Sequence, residues 1–424
     1  MTTLYIAALL LCAIAGAPLF IIIGGLALVL FAAVGIDSQA VIIEMYRLAS
    51  APTLIAIPLF TFSGYLLAES KSPERLVKLY RALFGWMPGG LAIVAFITCA
   101  FFTSFNGASG VTIIALGGLL YPLLTKERYS KRFSIGLVTT GGSLGLLFPP
   151  SLPLILYALV AQVSVDSLFL AGMLPGAMII VLLSIFSVRA GLKSKVERQP
   201  FSLANIWPAF REAFWILPLP AIILGGIYGG IFTASEAAGI TVVYVLIVEV
   251  FIYKDIRITK DVPRIASESM ILVGGVLIIL GCALGLTNYI VDEQIPMKII
   301  GWMREFITSK IMFLALLNVF LLIVGCLMDI FSATIVIVPL IVPIAKEFGV
   351  DPLHLGIIFL ANLEIGYITP PVGLNLFISS IRFKKPIPEI YRSTLPFLGV
   401  LVIALLIITY FPDLSLWLPR IFGR

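Results

Sequence analysis

The sequence predicts an all-α polytopic membrane protein built as an inverted repeat, with two re-entrant helical hairpins and two broken helices. Three observations lead there. The composition is apolar and poor in charge, the basic loops gather on one side of the membrane, and a repeat at an offset of 221 residues carries opposite loop charge in its two copies.

Composition decides the solvent. Of 424 residues, 60% are hydrophobic and 12% charged, with a mean hydropathy of +1.13. Soluble domains run at about 45–50% apolar and about 25% charged, so most of this chain faces lipid. At about 20 residues per crossing the apolar content limits the chain to roughly a dozen spans. The net charge of +6 comes with no basic stripe interleaved with aromatics, which argues against nucleic acid. Cys12, Cys99, Cys282 and Cys326 are scattered without a CxxC spacing and read as small core residues. No His/Cys/Asp metal cluster, paired-carboxylate motif or nucleophile elbow is visible, so an enzyme is the remote alternative.

Apolar runs bounded by charge place spans at 4–34, 52–68, 134–162, 168–190, 213–231, 236–253, 269–290, 356–380 and 395–411. The first lacks a basic leader and a small-residue cleavage site and is expected as a retained span that crosses once. Two runs, 91–124 and 312–345, are too long for one span and have polar or acidic centres. Each is either two full helices or a hairpin that enters and leaves on one side. Lysine and arginine choose between these. The basic loops are Lys71 to Arg81, Lys126 to Arg132, Arg189 to Arg211, Lys254 to Arg264 and Arg382 to Arg392. With both long runs as hairpins, all five fall on the cytoplasmic side, as the positive-inside rule requires. The N-terminus then also lies in the cytoplasm.

The repeat aligns Gly64 with Gly285, Pro122 with Pro343, Gly145 with Gly366, and Pro149-Pro150 with Pro370-Pro371. The loop KERYSKR (126–132) is strongly basic, while its counterpart KEFGVDPLH (346–354) has one Lys, two acids and His354, expected to be solvated. Opposite charge at equivalent loops implies opposite sides, hence an inverted repeat. In secondary transporters such repeats place the binding site at mid-membrane on their interface.

The Pro-Pro pairs interrupt helices inside GSLGLLFPPS (142–151) and EIGYITPPVG (364–373). Proline removes a donor and frees a carbonyl upstream, tolerable at membrane depth only where it lines a cavity or binds an ion. Half-helix ends offer carbonyls to cations and amides to anions. The hairpin centres TSFNGASG (103–110) and GCLMDIFSAT (325–334) add hydroxyl, amide and carboxylate oxygens. Asp329 is the only acid in its run of more than 30 residues, a functional candidate by default, with hairpin capping as the bland reading. For Glu364 three roles are open: binding an ion or proton, contacting a polar substrate, or capping an internal helix end. Thr233 and Glu236 read as a helix N-terminus.

Four segments, FLAGMLPG (169–176), GGIYGGIFTASEAAG (225–239), GCLMDIFSATIVIVPLIVP (325–343) and NLEIGYITPPVGLNLF (362–377), carry a resemblance over essentially the whole chain. The sequence resembles the large membrane subunit, DctM-like, of tripartite ATP-independent periplasmic (TRAP) transporters. The resemblance implies an ion-transporter-type fold, an elevator mechanism, sodium as coupling ion, and no enzyme activity, cofactor or transition metal. It implies a multi-pass protein of the bacterial inner membrane. Implied partners are a separate small four-helix membrane subunit, a periplasmic substrate-binding protein, membrane lipid and a small organic acid. By motif match, one sodium site draws on Ser104, Asn106, Gly145, Phe148 and Pro150, and the other on Asp329, Thr334, Gly366, Thr369 and Pro371. Ser109, Ser151, Glu364 and Asn375 are the candidates for substrate.

The expected organisation is scaffold helices in 1–87, a transport repeat in 88–165 with its break near 145–151, and connecting and scaffold helices in 166–309. A second transport repeat follows in 310–381 with its break near 366–372, then a C-terminal scaffold helix in 382–424. The alternative function is a self-sufficient sodium/divalent-anion symporter of the same broad fold.

Overall fold

The computed structural model describes residues 2–35, 37, 39–50, 52–193, 203–304, 306–307 and 309–422. The described residues fold as helices without strands. Among the described residues seven helices are long and apolar enough to cross a membrane, or up to nine when two bent pairs each count as one span.

The repeat reappears as matched helix ends. Ser109–Lys126 and Ile330–Glu347 correspond residue for residue at the offset of 221. In the same register Gly90–Asn106 answers Lys310–Leu327, Lys131–Gly141 answers Pro352–Gly366, and Leu152–Ala161 answers Leu374–Phe383. The hairpins are therefore Gly90–Lys126 and Lys310–Glu347. Arms of about 18 residues reach about 27 Å at 1.5 Å per residue, so length alone would let them cross. The first tip does not end at a surface loop: Ser104, Phe105 and Asn106 are buried. The first broken helix bends by 44° between Lys131–Leu147 and Leu152–Ala161. The Pro149-Pro150 and Pro370-Pro371 bonds are both cis.

The start of the chain departs from expectation. Residues 4–34 do not form one crossing. Thr2–Ile14 and Leu19–Ala33 are separate helices joined through Gly16 at a φ of +84°. Leu9 packs against the face of Gly25, where a Cβ would lie 2.8 Å from Leu9 Cδ2. Residues 16 positions apart meet this way only if the chain turns back. The side assigned to the N-terminus rested on one crossing and loses that support; Met1 itself lies outside the described residues, as do 194–202 of the third basic loop.

Packing sorts the helices into two bodies. In one, Leu19–Ala33 and Gln39–Ala49 lie on Asp261–Asp292, which with Ala234–Leu246 embraces Ala56–Glu69. The other gathers the hairpins and broken helices around Val165–Lys193 and Ile387–Tyr410. The C-terminal helix expected in the scaffold thus packs on the hairpin-bearing body. Phe397 explains why: its ring meets Phe133 at 5.4 Å, Phe186 at 5.2 Å and Phe96 at 6.4 Å, tilted and edge-on geometries that aromatic pairs favour. The same holds for 166–193, expected among connecting helices. The short amphipathic helix Asp413–Ile421 then lies along Val165–Lys193.

The amphipathic helix Ser72–Phe84 joins the bodies, and its start is clamped to the first. Ser72 Oγ donates to Glu249 Oε1 at 2.5 Å. Arg75 makes a forked pair with Asp255, at 2.5 and 3.3 Å, and its guanidinium lies 3.8 Å from the Tyr253 ring centre. Burial works against the Arg75 charge, but the hydrogen bond and charge of Asp255 outweigh it and hold its pKa above the usual value. Glu249 sits in a π-helical turn, Ile247–Ile252, a local widening frequent at functional positions.

Candidate functional site

Each hairpin tip meets the break of its own repeat. A Cβ on Gly145 would run into the Ala100 carbonyl and the Ser104 amide, so only glycine lets the first broken helix approach this arm. A Cβ on Gly366 would likewise meet the backbone of Gly325. The expected residues of each ion site are thereby brought together in pairs: Ser104 with Gly145, and the arm leading to Asp329 with Gly366.

Around the first tip, Asn106 closes the turn. Its Oδ1 accepts from Ala108 N at 2.8 Å and its Nδ2 donates to Thr112 Oγ1 at 3.1 Å. Ser104 Oγ donates to the Phe101 carbonyl at 2.8 Å. The Phe148 carbonyl accepts from Ser151 N at 3.0 Å across Pro149-Pro150, and its ring lies against Gly176. Thr103 was missed in the sequence: its Oγ1 lies 2.8 Å from both Thr112 Oγ1 and the Gly142 carbonyl, joining both arms to the broken helix. Its place beside Ser104 in TSFNGASG was the available signal, and nothing marked Thr112.

Around the second tip, Asp329 caps Ile330–Glu347. Its Oδ1 accepts from Phe331 N at 2.9 Å and Ser332 N at 3.0 Å, and its Oδ2 from the Ser332 hydroxyl. The capping contact weighed in the sequence is thus present, and the carboxylate remains half-buried. Thr334 Oγ1 donates to the Ile330 carbonyl at 2.6 Å and Thr369 Oγ1 to the Ile365 carbonyl at 2.8 Å. The break after Pro371 is tied down where Gly373 N donates to the Cys326 carbonyl at 3.1 Å. Tyr367, not anticipated, accepts from Ile330 N at 2.7 Å and holds the tip to the broken helix.

Of the substrate candidates, Ser109 and Asn375 meet: Ser109 Oγ donates to Asn375 Oδ1 at 2.7 Å, linking the first hairpin to the second broken helix. Asn375 Nδ2 donates to the Thr139 carbonyl at 3.3 Å, and Thr139 Oγ1 to Ser379 Oγ at 2.8 Å. Ser151 Oγ and both Glu364 carboxyl oxygens are buried without a hydrogen-bond partner among the described residues. A capping role for Glu364 is therefore not made. An ionised carboxylate at that depth is costly without a counter-charge.

His354 is not solvated. It is 1% exposed because it starts Pro352–Gly366 beneath the C-terminal segment, with Nδ1 3.3 Å from Ser415 Oγ and Nε2 3.3 Å from the Thr409 carbonyl. Asn318 Nδ2 donates to Thr409 Oγ1 at 3.0 Å and Asn362 Nδ2 to Asn318 Oδ1 at 2.8 Å. A polar chain thus runs beside the second broken helix. Glu236 and Thr233 form the anticipated capping box on the exposed start of Ala234–Leu246.

The chain has relatives along its whole length. The family model described as "Tripartite ATP-independent periplasmic transporter, DctM component" matches residues 4–414. The chain is 37% identical over 401 residues to the C4-dicarboxylate TRAP transporter large permease protein DctM of Pseudomonas aeruginosa, covering 94% of this chain and 93% of that one. It is 34% identical over 414 residues to the isethionate TRAP transporter permease protein DctMQ of Oleidesulfovibrio alaskensis, covering 95% of this chain and 64% of the relative. Among solved structures, the YdaH transporter of Alcanivorax borkumensis, described as having an unusual topology, superposes with a TM-score of 0.63. That match is at 13% identity and covers 88% of this chain and 87% of the other; it speaks to the fold.

Proposed function

This chain belongs to the tripartite ATP-independent periplasmic transporter family as a DctM component, a large membrane permease subunit and not an enzyme, and on that premise we propose that it imports small organic acids by sodium-coupled, elevator-type alternating access. Substrate arrives on a periplasmic binding protein, and a small four-helix membrane subunit completes the complex.

The observation that carries this reading is the duplicated meeting of hairpin tip and helix break, Gly145 on Ala100–Ser104 and Gly366 on Gly325. Two such meetings, related by one repeat, bring half-helix ends and small polar side chains together deep in the protein. The donors in both expected ion sites are hydroxyl, amide, carboxylate and backbone oxygens, which suit a hard cation and not a thiolate- or imidazole-loving one. Ser104, Asn106 and the carbonyls at Gly145 and Phe148 would hold one sodium; Asp329, Thr334, Thr369 and the Gly366 carbonyl would hold the other. The names of the relatives, C4-dicarboxylate and isethionate, support an anionic substrate held near Ser109, Ser151 and Asn375. Glu364 favours one that also carries a donor group.

The test is reconstitution of permease, small subunit and binding protein in liposomes. Radiolabelled dicarboxylate should accumulate under an inward sodium gradient and not under an equal potassium gradient. Equal uptake in potassium sinks the coupling. Full uptake without the soluble protein favours the self-sufficient symporter.

A further inference from the structure

The two repeats match in sequence register but not in docking. Gly64, on the scaffold helix Ala56–Glu69, is pressed by the first hairpin tip: a Cβ there would collide with the Phe105 carbonyl and lie 2.6 Å from Asn106 Cα. Its repeat equivalent is Gly285, and the equivalents of Phe105 and Asn106 are Cys326 and Leu327. Yet the three atoms nearest a Cβ on Gly285 belong not to a hairpin but to the side chain of Val41, with Cγ1 at 2.8 Å. The tips differ accordingly. Asn106 is 0% exposed and Leu327 is 55% exposed.

The surroundings show the same inequality. The joining helix Ser72–Phe84 packs along the first hairpin arm. Its counterpart Ile295–Arg304 packs instead on the other arm of the second hairpin, Ile330–Glu347, and an apolar cavity of about 620 Å³ opens beside Lys310–Leu327, lined by Ile299, Ile307, Phe313, Leu317 and Ile341. In place of a tip on Gly285, the helix after the second tip packs on Asp261–Asp292, where Phe331, Ile335 and Val336 share an apolar cluster with Val276, Leu280, Ala283 and Leu286.

An inverted repeat provides two equivalent docking places for one moving body. We propose that Gly64 and Gly285 are alternating docking positions: the first tip sits on Gly64 in this state, and in the opposite state the second tip, at Cys326–Leu327, sits on Gly285 while Gly64 is released. Gly64 lies five residues before Glu69 and the basic Lys71–Arg81 loop, so by the charge rule the state described here faces inward. Both positions are glycine because backbone must approach backbone there. This assignment rests on the elevator reading above and deepens it to named contacts.

Cross-linking tests the pair directly, in the assembled complex with binding protein and small subunit. Cys12, Cys99 and Cys282 are replaced by serine, native Cys326 and Gly285 are kept, and Leu286→Cys is introduced beside the glycine. Copper phenanthroline should form a 286–326 disulfide, read by mass spectrometry, and lower uptake at least tenfold, with recovery on reduction. The same variant carrying Cys326→Ala should ignore the oxidant. A transport-competent Leu286→Cys complex that never cross-links, or that cross-links with uptake intact, overturns the proposal. A second readout uses Leu327→Cys labelled with a water-soluble maleimide. Adding Gly64→Ala obstructs docking of the first tip and should cut that labelling about fivefold; unchanged labelling overturns the alternation. Both readouts report docking, so loss of sodium dependence in the unmodified complex would count against coupling alone.

Discussion

Ser109 and Asn375 lie 266 positions apart and are joined by a 2.7 Å hydrogen bond that runs from the first hairpin to the second broken helix. Asn375 is also held by the Thr139 carbonyl, so its amide is fixed in direction before any substrate arrives. Replacing Asn375 by Ala leaves Ser109 and Thr139 with lost partners in a buried place. We expect a stability loss of about 1–3 kcal/mol and at least a tenfold fall in uptake with a raised KM. Asn375→Ala with unchanged KM would remove this residue from the substrate site.

Asp329 separates capping from charge. Asn caps as well as Asp, and loss of a cap costs about 1 kcal/mol. Asp329→Asn should therefore unfold at nearly the normal temperature yet lose sodium-dependent uptake, whereas Asp329→Ala should lose both uptake and some stability. Normal sodium dependence in Asp329→Asn would show that the carboxylate serves the helix end alone.

The clamp of Arg75 on Asp255 is mostly buried, with side chains 15% and 8% exposed. Removing one partner of such a pair costs about 3 kcal/mol. Arg75→Ala should lower thermal stability in detergent accordingly. A disulfide between Ser72→Cys and Glu249→Cys should leave uptake within about twofold, because this end of the joining helix stays fixed to its support. Arrest of uptake by that disulfide would mean that the clamp opens during transport.

His354 gives a test of burial. His354→Leu should lower stability by about 1–3 kcal/mol by stranding Ser415 and the Thr409 carbonyl. A solvated histidine would give a change within about 0.5 kcal/mol, and thermal unfolding distinguishes the two.

Sidedness can be read at Lys126 and Glu347, exposed residues that end the two hairpins and are repeat equivalents. Single cysteines at these positions should be labelled from opposite faces of intact membranes by an impermeant maleimide. Labelling from one face would refute the inversion.

The hairpins and breaks were legible because their residues act on the backbone: Pro149-Pro150, Gly145 and Gly366 disturb a helix wherever they stand, and Asp329 is conspicuous among apolar neighbours. Contacts between side chains distant in sequence left no such mark. Nothing near His354 announces Thr409 or Ser415, and Ser109 does not announce Asn375. The early fold-back was hidden because Gly16 and Pro18 stand in a run apolar enough to pass for one span. Phe397 escaped for a related reason, since in lipid an aromatic on a packed face and one on an exposed face look alike in sequence.

The ring of Phe397 among Phe96, Phe133 and Phe186 has a practical meaning for watching this molecule work. It ties the tail of the chain to the hairpins, so a fluorophore placed near exposed Arg420 rides with them. A second fluorophore at exposed Trp207, on a helix packed against Ser72–Phe84, stays with the clamped support. The distance between two dyes, followed in single complexes, then becomes a gauge of the stroke, read without touching the substrate site.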